Sequence, residues 1–203
     1  MTAAQTVCVV DDEDAVRRSL ALMLRLAGYK VKPFESGVRF LEQADEAAGC
    51  CILLDVRMPG KDGLEVQGEL QRRGIHSASI VMTGHGELSV AVEALRSGAV
   101  DFLEKPFEKS RLLASMERAW LKLRDPEGYR AMACKAADSL AALTQQERAV
   151  LDSFSGGLSN RSVAAALGLS LRDVELCRAG IVARLGGGLS DAVRLAFLAR
   201  SCA

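Results

Sequence analysis

The sequence predicts an α/β fold, a doubly wound five-stranded parallel sheet, followed by a small all-α domain. Three observations predict it. Short apolar runs alternate with amphipathic stretches from residue 5 to residue 122, the rhythm of a parallel sheet with helices on both faces. The strand signals then vanish, and residues 123–139, with Asp125-Pro126-Glu127-Gly128 near their start, read as a linker. From residue 140 to 203 every periodic stretch is helical. A chain of 203 residues is long enough for two small domains, each burying its own core.

The apolar runs that read as strands are Val7-Cys8-Val9-Val10, Tyr29-Lys30-Val31, Cys50-Cys51-Ile52-Leu53-Leu54, Ser79-Ile80-Val81-Met82 and Val100-Asp101-Phe102-Leu103. Between the first two, Val16, Leu20, Met23, Leu24 and Ala27 recur at helical spacing and stop at Gly28, a residue suited to a helix C-terminus. Leu112, Leu113, Met116, Trp120 and Leu123 repeat that spacing after the fifth strand. In the second half, Thr144 and Glu147 have the spacing of a capping box, and Val150, Leu151 and Phe154 form an apolar stripe ending at Gly156-Gly157. Helices are then expected over 159–167, 170–185 and 189–200, separated by Gly168 and by Gly186-Gly187-Gly188.

Composition excludes several classes. Hydrophobic residues are 49% and charged residues 26% of the chain, an ordered globular balance and not a disordered one. No apolar run approaches a membrane span, and no basic stretch followed by an apolar core opens the chain; a soluble, cytoplasmic protein with no membrane partner is expected. The 26 basic and 26 acidic residues cancel, so binding to nucleic acid must come from a local patch. The six cysteines form no C-x-x-C pair and have no nearby histidine, which leaves reduced thiols as the simple expectation.

In a parallel doubly wound sheet, ligands gather at the C-terminal ends of the strands. Asp11-Asp12 end the first strand, Asp55 the third, Thr83 the fourth and Lys105-Pro106 the fifth. Taken singly, these are a strand-end turn or cap, a turn hydroxyl and a solvated charge. Taken together, they are crowded carboxylates that repel unless a hard cation sits among them, and Mg²⁺, or Mn²⁺ in its place, suits such oxygens. With Asp11 and Asp12 on the ion, Asp55 is left as a nucleophile whose acyl phosphate is stabilised by the metal and Lys105. Thr83 would reach a phosphoryl oxygen.

Asp11-Asp12, Asp55-Val56-Arg57-Met58-Pro59-Gly60, Thr83-Gly84-His85-Gly86 and Asp101-Phe102-Leu103-Glu104-Lys105-Pro106-Phe107 together resemble the receiver domain of two-component response regulators, particularly the FixJ type, over residues 5–122. The resemblance implies a flavodoxin-like sheet and phosphorylation of Asp55 by a sensor histidine kinase. It implies Mg²⁺ on Asp12, Asp55 and the Arg57 backbone carbonyl with Asp11 assisting, a Lys105–Pro106 peptide in cis, and Phe102 as an aromatic switch coupled to Thr83. The output surface would be the fourth helix (residues 87–97), the fifth strand and the fifth helix, whose rearrangement pairs two receivers.

The second half, residues 140–203, is similar to the LuxR/FixJ-type helix-turn-helix. The words that carry this are Leu143-Thr144-x-x-Glu147-x-x-Val150-Leu151, Gly157-Leu158-Ser159-Asn160-Arg161, Leu167-Gly168-Leu169-Ser170-Leu171-Arg172-Asp173-Val174-Glu175 and Arg184-Leu185. It implies a scaffold helix over 160–167 and a recognition helix over 171–185 in the major groove. Arg172, Glu175, Leu176 and Ala179 share a helical face and are the candidates for base-edge contact. Asn160, Arg161, Ser170, Arg178 and Arg184 are the candidates for phosphate contact. Val163, Leu167, Leu169, Val174 and Ile181 are assigned to the core. The chain departs from the family at Asp173, where threonine is usual, at Cys177, where histidine is usual, and at the glycine triplet. Residues 125–203 hold 9 basic and 8 acidic side chains, a net +1.

The expected function is a phosphorylation-switched transcription regulator that dimerises on phosphorylation, binds promoter DNA and contacts RNA polymerase. The alternative is a regulator acting through protein contact, its helix-turn-helix no longer reading DNA. An aspartyl-phosphate hydrolase would need a second carboxylate two residues after Asp55, where Arg57 stands. The chain therefore reads as no enzyme beyond assisting its own phosphotransfer and slow dephosphorylation.

Overall fold

A computed structural model describes residues 5–84 and 88–202; His85, Gly86 and Glu87, named in the motif and helix above, lie outside the described residues. The chain divides into two compact units, residues 1–87 with 94–125 and residues 88–93 with 126–203. In the first unit β1 (Thr6–Val10), β2 (Lys30–Phe34), β3 (Cys51–Asp55), β4 (Ala78–Thr83) and β5 (Asp101–Glu104) form one five-stranded sheet in the order β2-β1-β3-β4-β5. All four ladders are parallel. The α/β expectation therefore stands, strand by strand. Pro33 has no N–H to give and lies in β2 at the sheet edge, where a missing donor costs least.

The connecting helices are α1 (Asp14–Leu26), α2 (Gly37–Glu42), α3 (Gly63–Arg72), α4 (Leu88–Arg96) and α5 (Lys109–Arg124). Strand side chains alternate between the two sheet faces. Cys8, Val10, Ile52 and Leu54 accordingly point one way and join Phe34, Phe40, Val66 and Leu70 in one buried cluster. β3 and β4 are buried along their whole length, as expected of central strands covered on both faces.

In the second unit, the stretch read as a linker is helical. Helix α6 (Pro126–Leu140) buries Ala133, Ala136 and Leu140 and packs on the last helix, α10 (Leu189–Ala199). Proline in the first turn removes an N–H that has no intrahelical partner there, and the alanines at 131, 133, 136 and 137 are the best helix formers. Between them lie α7 (Gln145–Phe154), α8 (Asn160–Leu167) and α9 (Leu171–Leu185). Gly168 ends α8 at φ +66°, a left-handed turn that costs glycine little. Val163, Val174 and Ile181 are fully buried, as expected, while Leu167 and Leu169 are half-buried.

The cysteine expectation needs correction. Cys134 of α6 and Cys202, in the 3-10 turn after α10, are joined in a disulfide. The two lie 68 residues apart; their meeting is a product of tertiary packing, and no local spacing signals it. Cys8, Cys50, Cys51 and Cys177 are free and buried.

Candidate functional site

The C-terminal ends of β1, β3, β4 and β5 bring together Asp11, Asp55, Thr83 and Lys105. Asp11 is fully buried. Its backbone N–H donates to the Phe34 carbonyl at 3.2 Å, and its Oδ1 accepts from the Glu13 N–H at 2.9 Å. The Lys105 ammonium donates to Asp11 Oδ2 at 2.7 Å and to Asp55 Oδ1 at 2.5 Å. The Lys105–Pro106 peptide is cis. Thr83 ends β4 with its backbone carbonyl accepting from the Lys105 N–H at 2.8 Å. Its buried hydroxyl has no hydrogen-bond partner among the described residues. Arg57 is exposed in the loop after β3, and Phe102 is buried in β5.

Electrostatics follow from this geometry. Burial pushes the Asp55 carboxyl above its ordinary value; the Lys105 hydrogen bond and charge pull it back, and the Asp11 and Asp12 charges add to the rise. Burial alone would lower the Lys105 ammonium, but hydrogen bonds to Asp11 and Asp55 outweigh it and raise the group above its ordinary value. Asp11 and Asp55 meet around Lys105, whereas Asp12 is exposed. Among the described residues no three acidic, histidine or cysteine side chains form a metal cage. The Lys105 ammonium lies against both buried carboxylates and offsets their charge. The donor chemistry still suits Mg²⁺, which takes one or two carboxylates and keeps several waters.

Gly63 opens α3 directly against this pocket. A Cβ there would lie 2.2 Å from the Asp55 carbonyl oxygen and 3.1 Å from the Val56 Cα, both backbone atoms that cannot swing aside. Gly63→Ala is therefore expected to shift the end of β3. We expect a loss of about 1–3 kcal/mol, read as a lower denaturation midpoint at unchanged m-value.

The helical unit sorts its candidates into two groups. Arg172, Glu175, Leu176 and Ala179 are all exposed, as is Arg161; the open face expected of α9 is present. The other four hold the unit together. Arg178 donates to Asn160 Oδ1 of α8 at 3.3 Å, and its guanidinium lies 5.7 Å from the Phe154 ring centroid of α7. Arg184 pairs with Glu147 of α7 at 3.0 Å. The Ser170 hydroxyl caps α9, accepting from the Asp173 N–H at 3.1 Å and donating to Asp173 Oδ2 at 2.6 Å. Asp173 in turn accepts from the Ser170 N–H at 3.1 Å, so the departure from the family completes a capping box.

Glu147 is the polar hub. It completes the Thr144 capping box, accepting from the Thr144 N–H at 2.8 Å, and meets Arg184 across the core. Gly180 leaves room for it, since a Cβ there would lie 2.2 Å from Glu147 Oε1. The Thr144 backbone N–H, with smaller help from its side chain and Arg184, holds the Glu147 carboxyl below its ordinary value of 4.5. A carboxyl depressed in the folded state contributes stability above its unfolded value, and that contribution is lost as pH falls through the folded value. Glu147→Gln is expected to cost about 2 kcal/mol at neutral pH. The gap between variant and parent should close in melts run well below pH 4.5.

A model of the response regulator receiver domain matches residues 7–117, and one described as bacterial regulatory proteins, luxR family, matches residues 141–196. The transcriptional regulatory protein FixJ of Azorhizobium caulinodans is 43% identical over 201 residues, spanning 98% of this chain and 95% of the relative. The chain belongs to the FixJ-type two-component response regulators. FixJ of Rhizobium meliloti is 41% identical over 94% of both chains. Among solved structures, full-length FixJ from B. japonicum is 38% identical, with a TM-score of 0.59 over 98% of each chain. This response regulator thus joins a receiver domain to a LuxR-type DNA-binding domain.

One part of the FixJ-type receiver was not anticipated. Asp101 is fully buried, and its carboxylate accepts from the Ser115 hydroxyl at 2.5 Å and from the Arg118 guanidinium. Its Oδ1 also accepts from the Phe102 N–H at 2.8 Å. This network ties β5, which carries Phe102 and leads to Lys105, to α5. The available signal was a serine on the otherwise apolar face of Leu112, Met116 and Ala119.

Proposed function

We propose that Asp55 accepts a phosphoryl group from a sensor histidine kinase and that this acyl phosphate switches the regulator into a dimeric, promoter-binding state. The observation that supports the reading is the Lys105 ammonium held between Asp11 and Asp55 beside a Thr83 hydroxyl that has no partner among the described residues. As the P–N bond of a phosphohistidine breaks, Asp55 Oδ forms the new P–O bond and the imidazole leaves. Lys105 favours the ionised carboxylate that the attack requires and then pairs with the phosphoryl group. The buried Thr83 hydroxyl can donate to a phosphoryl oxygen, and that new bond is what biases the packing around Phe102. Asp11, Asp12, Asp55 and the Arg57 carbonyl would hold Mg²⁺, which neutralises charge on the transferring group.

The receiver is then a reactant that assists its own phosphotransfer and slow dephosphorylation. In the LuxR-type unit, the exposed Arg161, Arg172, Glu175, Leu176 and Ala179 are the residues we assign to DNA, with Asn160, Ser170, Arg178 and Arg184 positioning α9. Two units on a two-fold site gain affinity through effective concentration, which a domain of net charge +1 needs. RNA polymerase contact and a cytoplasmic location follow from this role; no helix among the described residues is long and apolar enough to cross a membrane.

The test is to treat the full chain with an acyl phosphate and Mg²⁺. One hydroxylamine-labile phosphoryl group on the peptide holding Asp55 is expected, and labelling elsewhere contradicts the proposal. Thr83→Ala should fold with stability within about 1 kcal/mol of the parent, since its hydroxyl has no hydrogen-bond partner among the described residues. It should be labelled yet fail to dimerise, as read by sedimentation.

A further inference from the structure

Four of the six cysteines are buried and free, and burial pushes their thiols up, Cys8 to about 12. Such thiols are poor nucleophiles at neutral pH. Cys134 and Cys202 are placed differently. Both are half-buried and reachable from solvent, their Cα atoms are 4.8 Å apart, and their sulfurs are bonded. Cys134 lies on α6 beside the buried Ala133, and Cys202 lies in the short 3-10 turn that ends the described residues and packs on α6. The bond joins α6 to the turn after α10, enclosing α7, α8, α9 and α10 between the two linked residues.

We propose that Cys134 and Cys202 are a reversible thiol–disulfide site, oxidised by low-molecular-weight disulfides of the glutathione type, that fastens α6 to the end of α10. The inference stands on this geometry and does not require the phosphoryl switch. One protein thiolate attacks a sulfur of the small disulfide, forming a mixed disulfide and releasing one small thiolate. The second protein thiolate then attacks the protein sulfur of that mixed disulfide and releases the other. Two protein thiols are oxidised, one small disulfide is reduced to two thiols, and the protons lost by the cysteines end on the released thiols. A bond of this kind in contact with a glutathione pool reports the redox state of that pool. Reduced, α6 is held on α10 by packing alone and can open locally; oxidised, that opening is blocked.

The experiment uses the full chain equilibrated in glutathione buffers from fully reduced to fully oxidised, then denatured, alkylated and weighed. Weighed before alkylation, the protein from the oxidised buffer should be lighter by two hydrogens. Four of the six cysteines should then alkylate, and digestion should release the Cys134 and Cys202 peptides joined. A dithiol reductant should reverse all three changes. The melting temperature of the oxidised form should rise by roughly 10 °C, since a long loop is closed in the unfolded chain. Cys134→Ser and Cys202→Ser should each melt like the reduced parent, show no shift, and stop at a mixed disulfide on the remaining cysteine. Alkylation of all six thiols in the oxidised buffer, a bond between other cysteines or between two chains, or a bond that a dithiol leaves intact would overturn the proposal.

Discussion

Asparagine in place of Asp55 is expected to leave the regulator folded and to abolish phosphoryl acceptance. The amide is nearly isosteric but offers no anionic oxygen for attack on phosphorus, so labelling by acyl phosphate should fall to background and not merely slow. Stability should stay within about 1 kcal/mol of the parent, because burial already penalises the Asp55 charge and Lys105 keeps its bond to Asp11. Intact mass after acyl phosphate treatment, with a denaturant titration alongside, checks both halves. A labelled Asp55→Asn protein would move the acceptor elsewhere in the strand-end pocket.

Arg172→Ala should give the second large effect, a loss of about 1–3 kcal/mol of binding free energy, on the order of 10- to 100-fold in DNA affinity. Arg172 is exposed on α9. Its partner in the complex is taken to be DNA. Arg184→Ala makes the contrast. Its guanidinium is tied to Glu147, so its removal should lower the melting temperature and alter affinity only through that loss. Titration with promoter fragments at several salt concentrations separates the two. Binding that does not weaken as salt rises would remove phosphate contact from the account altogether.

The strands and the pocket were legible because their signals are local. Each apolar run has period or continuity of its own, and in a parallel sheet the strand ends converge, so Asp11, Asp55, Thr83 and Lys105 could be placed together before any coordinates. Contacts between distant side chains were not legible. Lys105 bridging Asp11 and Asp55 depends on where one flexible side chain settles. Arg178 and Arg184 are candidates for phosphate contact through the resemblance to the helix-turn-helix family, and packing adds Asn160, Phe154 and Glu147 as partners that no local spacing signals. Asp173 was read as a departure from the family, although Ser170 followed three residues later by a carboxylate is itself a capping signal. Pro126 and Gly128 signal a break locally, whereas the alanines that follow them and the packing on α10 carry helix α6.

The most direct measurement pairs sedimentation with DNA binding, using the full chain and Asp55→Asn with and without Mg²⁺ and beryllofluoride, a phosphoryl mimic. The account predicts that the mimic converts the parent protein to a dimer that binds DNA and releases it as salt rises, and that Asp55→Asn does neither. An unchanged sedimentation coefficient and unchanged DNA binding with the mimic bound would contradict it.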